Sequence, residues 1–91
     1  MEMPTMQERL NNLELAQETI GFAIATCAEA IYREQKKANP DEKKITHYDE
    51  EMRKMEDEMS GLRLADDVGV QNAIEKYTHF LKKTATNRDD I

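Results

Sequence analysis

The sequence predicts an all-α fold, a long helical hairpin with a shorter third helix packed on it as a three-helix bundle that assembles as a homodimer or higher oligomer. Three observations carry this expectation. Only three Gly and two Pro interrupt 91 residues. Apolar residues recur at alternating steps of three and four in separate stretches, which is the helical period. Between the first two stretches lies one concentrated turn signal, Asn39-Pro40-Asp41-Glu42. At this length the chain is expected to form a single helical domain over residues 1–91.

Helix 1 is expected over residues 5–38. Met6, Leu10, Leu13, Ile20, Ile24, Cys27 and Ile31 mark its apolar stripe, broken only at Gln17. Thr5 followed three positions later by Glu8 is a capping-box start. Ala16, Ala23 and Ala30 repeat every seven residues beside the stripe, with Gly21 and Ala28 on its other flank, so the buried face should be broad. Gly21 also marks the place, near Thr19–Gly21, where so long a helix could kink.

Helix 2 is expected over 40–62. Asn39 serves as its cap, Pro40 as its first helical residue, and Asp41 and Glu42 meet the positive end of its dipole. Ile45, Tyr48, Met52, Met55, Met59 and Leu62 form a narrow coiled-coil-like seam, and nearly everything between them is charged. Asp49–Arg53 and Glu50–Lys54 are candidate i,i+4 ion pairs. The short connection makes helices 1 and 2 antiparallel neighbours. Asp66-Asp67 then caps helix 3, expected over 67–84, with Val70, Ala73, Ile74, Tyr77, Phe80 and Leu81 on one face. Residues 85–91 lack periodicity and read as a tail.

Lys plus Arg number 13 against 19 Asp plus Glu, and the net charge of −6 argues against direct nucleic-acid binding, which needs a basic surface. Segment 41–67 concentrates that charge, with ten acids against five bases. Cys27 is the only cysteine, so no intramolecular disulfide forms; a reducing, cytoplasmic location is the expectation. The longest uncharged stretch, Thr19 to Ala28, is about half of a membrane span, and the amino terminus lacks the features of a secretory signal.

A length mismatch supplies the functional argument. A helix 2 of about 23 residues running back along helix 1 covers it only from about residue 38 to 15. Met6, Leu10 and Leu13 are left over; either helix 3 folds under and shields them, or they form an exposed apolar strip that calls for a second copy or another protein. The expectation is therefore a small, acidic, non-enzymatic binding protein that sequesters, inhibits or chaperones a protein partner, in the manner of antitoxins, immunity proteins or phage and plasmid inhibitors. Met6, Leu10 and Leu13 would make apolar contact. Asp49, Glu50, Glu56 and Asp57 would steer the encounter.

Two alternatives stand beside it. One is a small-ligand sequestering oligomer, with pockets between subunits lined by residues such as Arg9, Tyr32, Lys36 or Tyr77. The other rests on His79. The run Thr78-His79-Phe80-Leu81-Lys82-Lys83-Thr84-Ala85 resembles the histidine phosphotransfer motif of helical bundles, in which a His is followed by an apolar residue and then Lys. That resemblance implies a nucleophilic imidazole with an ammonium group holding the phosphoryl oxygens. Lys83 departs from it, standing where the motif wants a small residue.

Neither a cofactor nor a metal is expected. His47 with Glu51 and Glu75 with His79 offer i,i+4 ligand pairs, but the Glu-x-x-His pattern of di-metal bundles is missing. Cys27, between Ile24 and Ile31 on the stripe, reads as a small buried hydrophobe. Met52, Met55 and Met59 read as core, with an adaptable recognition surface as the alternative. With no Gly-rich phosphate loop, nucleophile elbow or catalytic triad, no catalytic residue is assigned.

Overall fold

In a computed structural model, residues 4–86 are described and fold into three helices with no strand among them: α1 Met6–Gln35, α2 Glu42–Gly61 and α3 Asp67–Thr86. The all-α three-helix arrangement expected from the periodicity is the one observed. α1 packs against both α2 and α3, whereas α2 and α3 touch each other only sparsely. α2 runs back along α1. α3 then runs parallel to α1, with Asp67 beside Arg9 at one end and Leu81, Thr84 and Ala85 beside Thr26, Ala30 and Arg33 at the other.

α1 starts where its cap predicts. The Glu8 N–H donates to Thr5 Oγ1 at 3.1 Å, and the Thr5 hydroxyl donates to Glu8 Oε1 at 3.2 Å. The helix is continuous through Gly21, so the break considered near Thr19–Gly21 does not occur. Thr19 and Thr26 donate their hydroxyls to the carbonyls of Leu15 and Phe22 at 2.7 and 2.8 Å, satisfying both side chains within the helix.

The α1–α2 turn differs from expectation. α1 ends at Gln35, three residues early, and the N–H groups of Lys36 and Lys37 tighten onto the carbonyls of Arg33 and Glu34. Asp41, not Asn39, caps α2, and Pro40 lies outside that helix. The reason is a set of hydrogen bonds. Asp41 Oδ1 accepts from the N–H groups of Lys43 and Lys44 at 3.0 and 3.4 Å, while its own N–H donates to the Glu34 carboxylate at 2.9 Å. α3 is capped by Asp66, whose Oδ1 accepts the Gly69 N–H at 2.9 Å. α3 also runs further than expected, because Ala85 and Thr86 of the anticipated tail are helical; 87–91 lie outside the described residues.

The core is built from the predicted seams. Ala16, Ile20, Ala23 and Cys27 of α1 meet Met55 of α2 and Val70, Ala73 and Tyr77 of α3. Leu13, Ile24, Tyr48, Met52, Met59, Leu62, Ile74, Phe80 and Leu81 pack around them. The three methionines thus fill the interior between α1 and α2. The alanines let neighbouring helices approach closely, and the largest fully buried side chains are only Ile20 and Cys27. This interior is thin. The radius of gyration, 15.5 Å, exceeds the roughly 12 Å of a compact chain of this length, and the extents are 55 × 24 × 15 Å.

Candidate interaction surface

A thin core leaves large apolar side chains outside it. On α1, Phe22 is 64% exposed, Tyr32 56% and Leu15 47%, one of them being one of only two phenylalanines in the chain. Leu15 and Phe22 each stand one residue before a buried alanine, Ala16 or Ala23. Close helix packing demands small residues at the contact, so the bulky neighbours one position away are turned outward. Ala25 and Ala28 are exposed on the same outer side, and Gly21 is half-buried. The flank holding Gly21 and Ala28 is therefore open, contrary to the expectation that it would widen the buried face.

The outer side of α1 is also polarised. Glu14 and Glu18 are exposed toward its amino end; at its carboxyl end exposed Glu29 pairs with Arg33 at 2.6 Å, Lys37 pairs with Glu34 at 2.7 Å and Lys36 is exposed, with no charged residue from Thr19 to Ala28. The Lys36 ammonium lies 4.4 Å from the centroid of the Tyr32 ring, a cation–π contact that places positive charge over this aromatic.

The residues expected to form the overhang divide. Met6 and Leu10 are exposed, at 57% and 39%. Leu13 is corrected: it is half-buried and packs against the core cluster, because α3 starts alongside the amino-terminal part of α1 and shields what α2 does not reach. Arg9 Nε lies 3.3 Å from Asp67 Oδ1 in the ion pair that marks this crossing.

The acids of α2 occupy its outer side. Glu50, Glu56 and Asp57 are exposed, and Asp49 pairs with Arg53 at 3.2 Å as expected. Glu50–Lys54 does not form; Lys54 instead reaches Glu51 one turn back, at 3.5 Å. Glu50 lines a shallow depression with Glu42, Lys43, Thr46 and His47. Glu58 pairs with Lys76 of α3, one of the few links between those helices.

Of the residues considered for a small-ligand pocket between subunits, a single chain brings together only Tyr32 and Lys36. Arg9 and Lys36 stand at opposite ends of α1, about 40 Å apart along the axis. Tyr77 lies in the core, as its place on the apolar face of α3 predicts: it is buried, and burial followed by the adjacent Glu58 carboxylate pushes its hydroxyl up to about 12. His79 is exposed on α3. Where α2 and α3 diverge, a groove of about 250 Å³ is lined by Thr26, Cys27, Ala30, Tyr48, Phe80, Lys83 and Thr84. Cys27 is 1% exposed, and burial, then the Glu51 charge, pushes its thiol upward, so it is held protonated rather than as a nucleophilic thiolate. Among the described residues no group of His, Cys, Asp and Glu is arranged to hold a metal ion, and no helix is long and apolar enough to cross a membrane.

The sequence reading missed Leu15 and Phe22. The available signal was two large apolar residues seven apart and off the main stripe, each followed by an alanine. No protein-family model matches this chain, and neither a curated protein nor a solved structure shows significant similarity to it.

Proposed function

We propose that this protein is a small, acidic, non-enzymatic binding protein that sequesters, inhibits or chaperones a macromolecular partner through a helical surface. The observation that carries the reading is the exposure of Leu15, Phe22 and Tyr32 on α1, large apolar groups that a soluble chain keeps outside only at a cost. Hydrophobic association through this face supplies affinity, by direct contact or by pairing two chains into one binding unit. The exposed acids Glu50, Glu56 and Asp57 of α2 steer the approach of a basic target, an effect that weakens with salt.

The test is parallel affinity capture from the native host with the wild type, Phe22→Asp and the doubly substituted Glu56→Lys/Asp57→Lys chain. The reading expects one specific partner to be lost or weakened at least tenfold in one of the variants, with helicity retained by circular dichroism. Partner recovery unchanged in both variants overturns it.

A further inference from the structure

We infer that the outer face of α1 pairs antiparallel with the same face of a second copy of this chain, forming a two-fold dimer centred near Phe22. The inference rests on the binding reading above and names the occupant of that surface. The first argument is charge. The exposed face is acidic at Glu14 and Glu18 and uncharged from Thr19 to Ala28; beyond that Glu29 is paired with Arg33 and Lys37 with Glu34, so its positive excess at the far end rests on Lys36. A surface with opposite charges at its two ends is self-complementary only when its copy runs the other way. A parallel copy would set like against like.

Shape gives the second argument. Glu14, Glu18, Gly21, Ala25, Ala28 and Tyr32 follow one another at steps of four and three, so they form a single seam along the helix. Reversing one copy about residue 23 sets Gly21 against the partner's Ala25, where small side chains let the backbones approach. Phe22 meets the partner's Phe22 on one flank of the seam, and half-buried Ile24 meets the partner's Ile24 on the other. Glu14 lands opposite the partner's Tyr32, where the Lys36 ammonium sits 4.4 Å from the ring centroid. The carboxylate therefore meets a cation already positioned to receive it.

Area is the third argument. In this register residues 11–35 of the two α1 helices overlap over about 37 Å, and the outer half of a helix about 11 Å across presents on the order of 600 Å² over that length, the lower edge of a standard interface. A stable interface buries about 800 Å² per partner. The acids of α2 lie on a different helix and remain available to a target in the dimer.

Light scattering tests the pairing first: wild-type chains of 10.6 kDa should have twice that mass, and Phe22→Asp should restore the single mass with helicity intact. Orientation is read by mixing Glu18→Cys and Ala28→Cys chains, which face each other across the seam. Under oxidation the mixture should form the mixed disulfide, while each variant alone, and the wild type, should not. Glu14→Lys and Lys36→Glu should each weaken the dimer about tenfold, and the double variant should restore it. A single-chain mass at micromolar concentration, a dimer unaffected by Phe22→Asp, or efficient disulfides within either variant alone overturns the pairing. Loss of host-partner capture in Phe22→Asp from a chain that is itself monomeric would sink the dimer and leave the binding reading standing. A cross-linked antiparallel dimer whose partner capture ignores every variant would do the reverse.

Discussion

The Glu34 carboxylate accepts the backbone N–H of Asp41 at 2.9 Å, tying the last turn of α1 to the cap of α2. Its second oxygen pairs with Lys37 at 2.7 Å, and the residue is only 6% exposed. The Lys37 ammonium first, then the Asp41 N–H, holds its pKa below the ordinary 4.5. A carboxylate depressed in the fold contributes stability that is present above the unfolded value and lost as pH falls through the folded one. The melting temperature of the wild type should therefore drop on acidification below pH 4.5, and that of Glu34→Gln, already lower at neutral pH, should drop less.

Ile20 and Phe22 are two residues apart on α1 and have opposite surroundings, 0% and 64% exposed. Ile20→Ala removes buried methyl groups and should cost about 2–5 kcal/mol. Phe22→Ser should change the stability of the isolated chain by no more than about 0.5 kcal/mol. Urea unfolding of dilute protein followed by circular dichroism checks both.

Gly69 leaves room for the side chain that caps α3. A Cβ there would lie 2.8 Å from Asp66 Cγ and closer still to its Oδ2, displacing the carboxylate that accepts the Gly69 N–H. Gly69→Ala alone should be neutral or destabilising, because the lost cap, worth about 1 kcal/mol, offsets the better helix propensity. In an Asp66→Ala background the same change should stabilise by about 0.5–1 kcal/mol. A double-mutant cycle in thermal melts reads this reversal of sign.

Tyr77 supplies a prediction at high pH. Burial, then the Glu58 charge, raises its hydroxyl from 10.0 to about 12, so the fold favours the neutral phenol. Stability from this group is fully present below pH 10 and lost as pH rises through about 12. Ultraviolet titration should show one late-ionising tyrosine that disappears in Tyr77→Phe.

Much of this was legible in the residues. Met52, Met55 and Met59 fall inside because their three-four spacing admits one buried stripe. Thr5 and Asp66 cap helices because a side-chain oxygen two or three residues before free N–H groups has little else to satisfy. The choice between Asn39 and Asp41 was not legible, since it depends on Glu34 arriving from another helix. Whether Leu13 is shielded was undecided for a related reason: a length argument for α2 leaves open how far α3 folds under the end of α1. The candidate surface shifted from the amino-terminal overhang toward Leu15, Phe22 and Tyr32 because periodicity finds the face a helix buries and is silent about bulky residues beside it.

The sequence by itself determined that there would be three helices, roughly where each begins, and which seam of each turns inward, because local hydrogen bonding and side-chain period are properties of neighbouring residues. The tertiary structure alone decided that α3 runs parallel to α1, that α2 and α3 barely meet, and that the outer side of α1 is left uncovered. Those outcomes follow from how closely alanine-lined helices approach and where each crosses the next, which is a competition among distant surfaces that no single stretch of chain encodes.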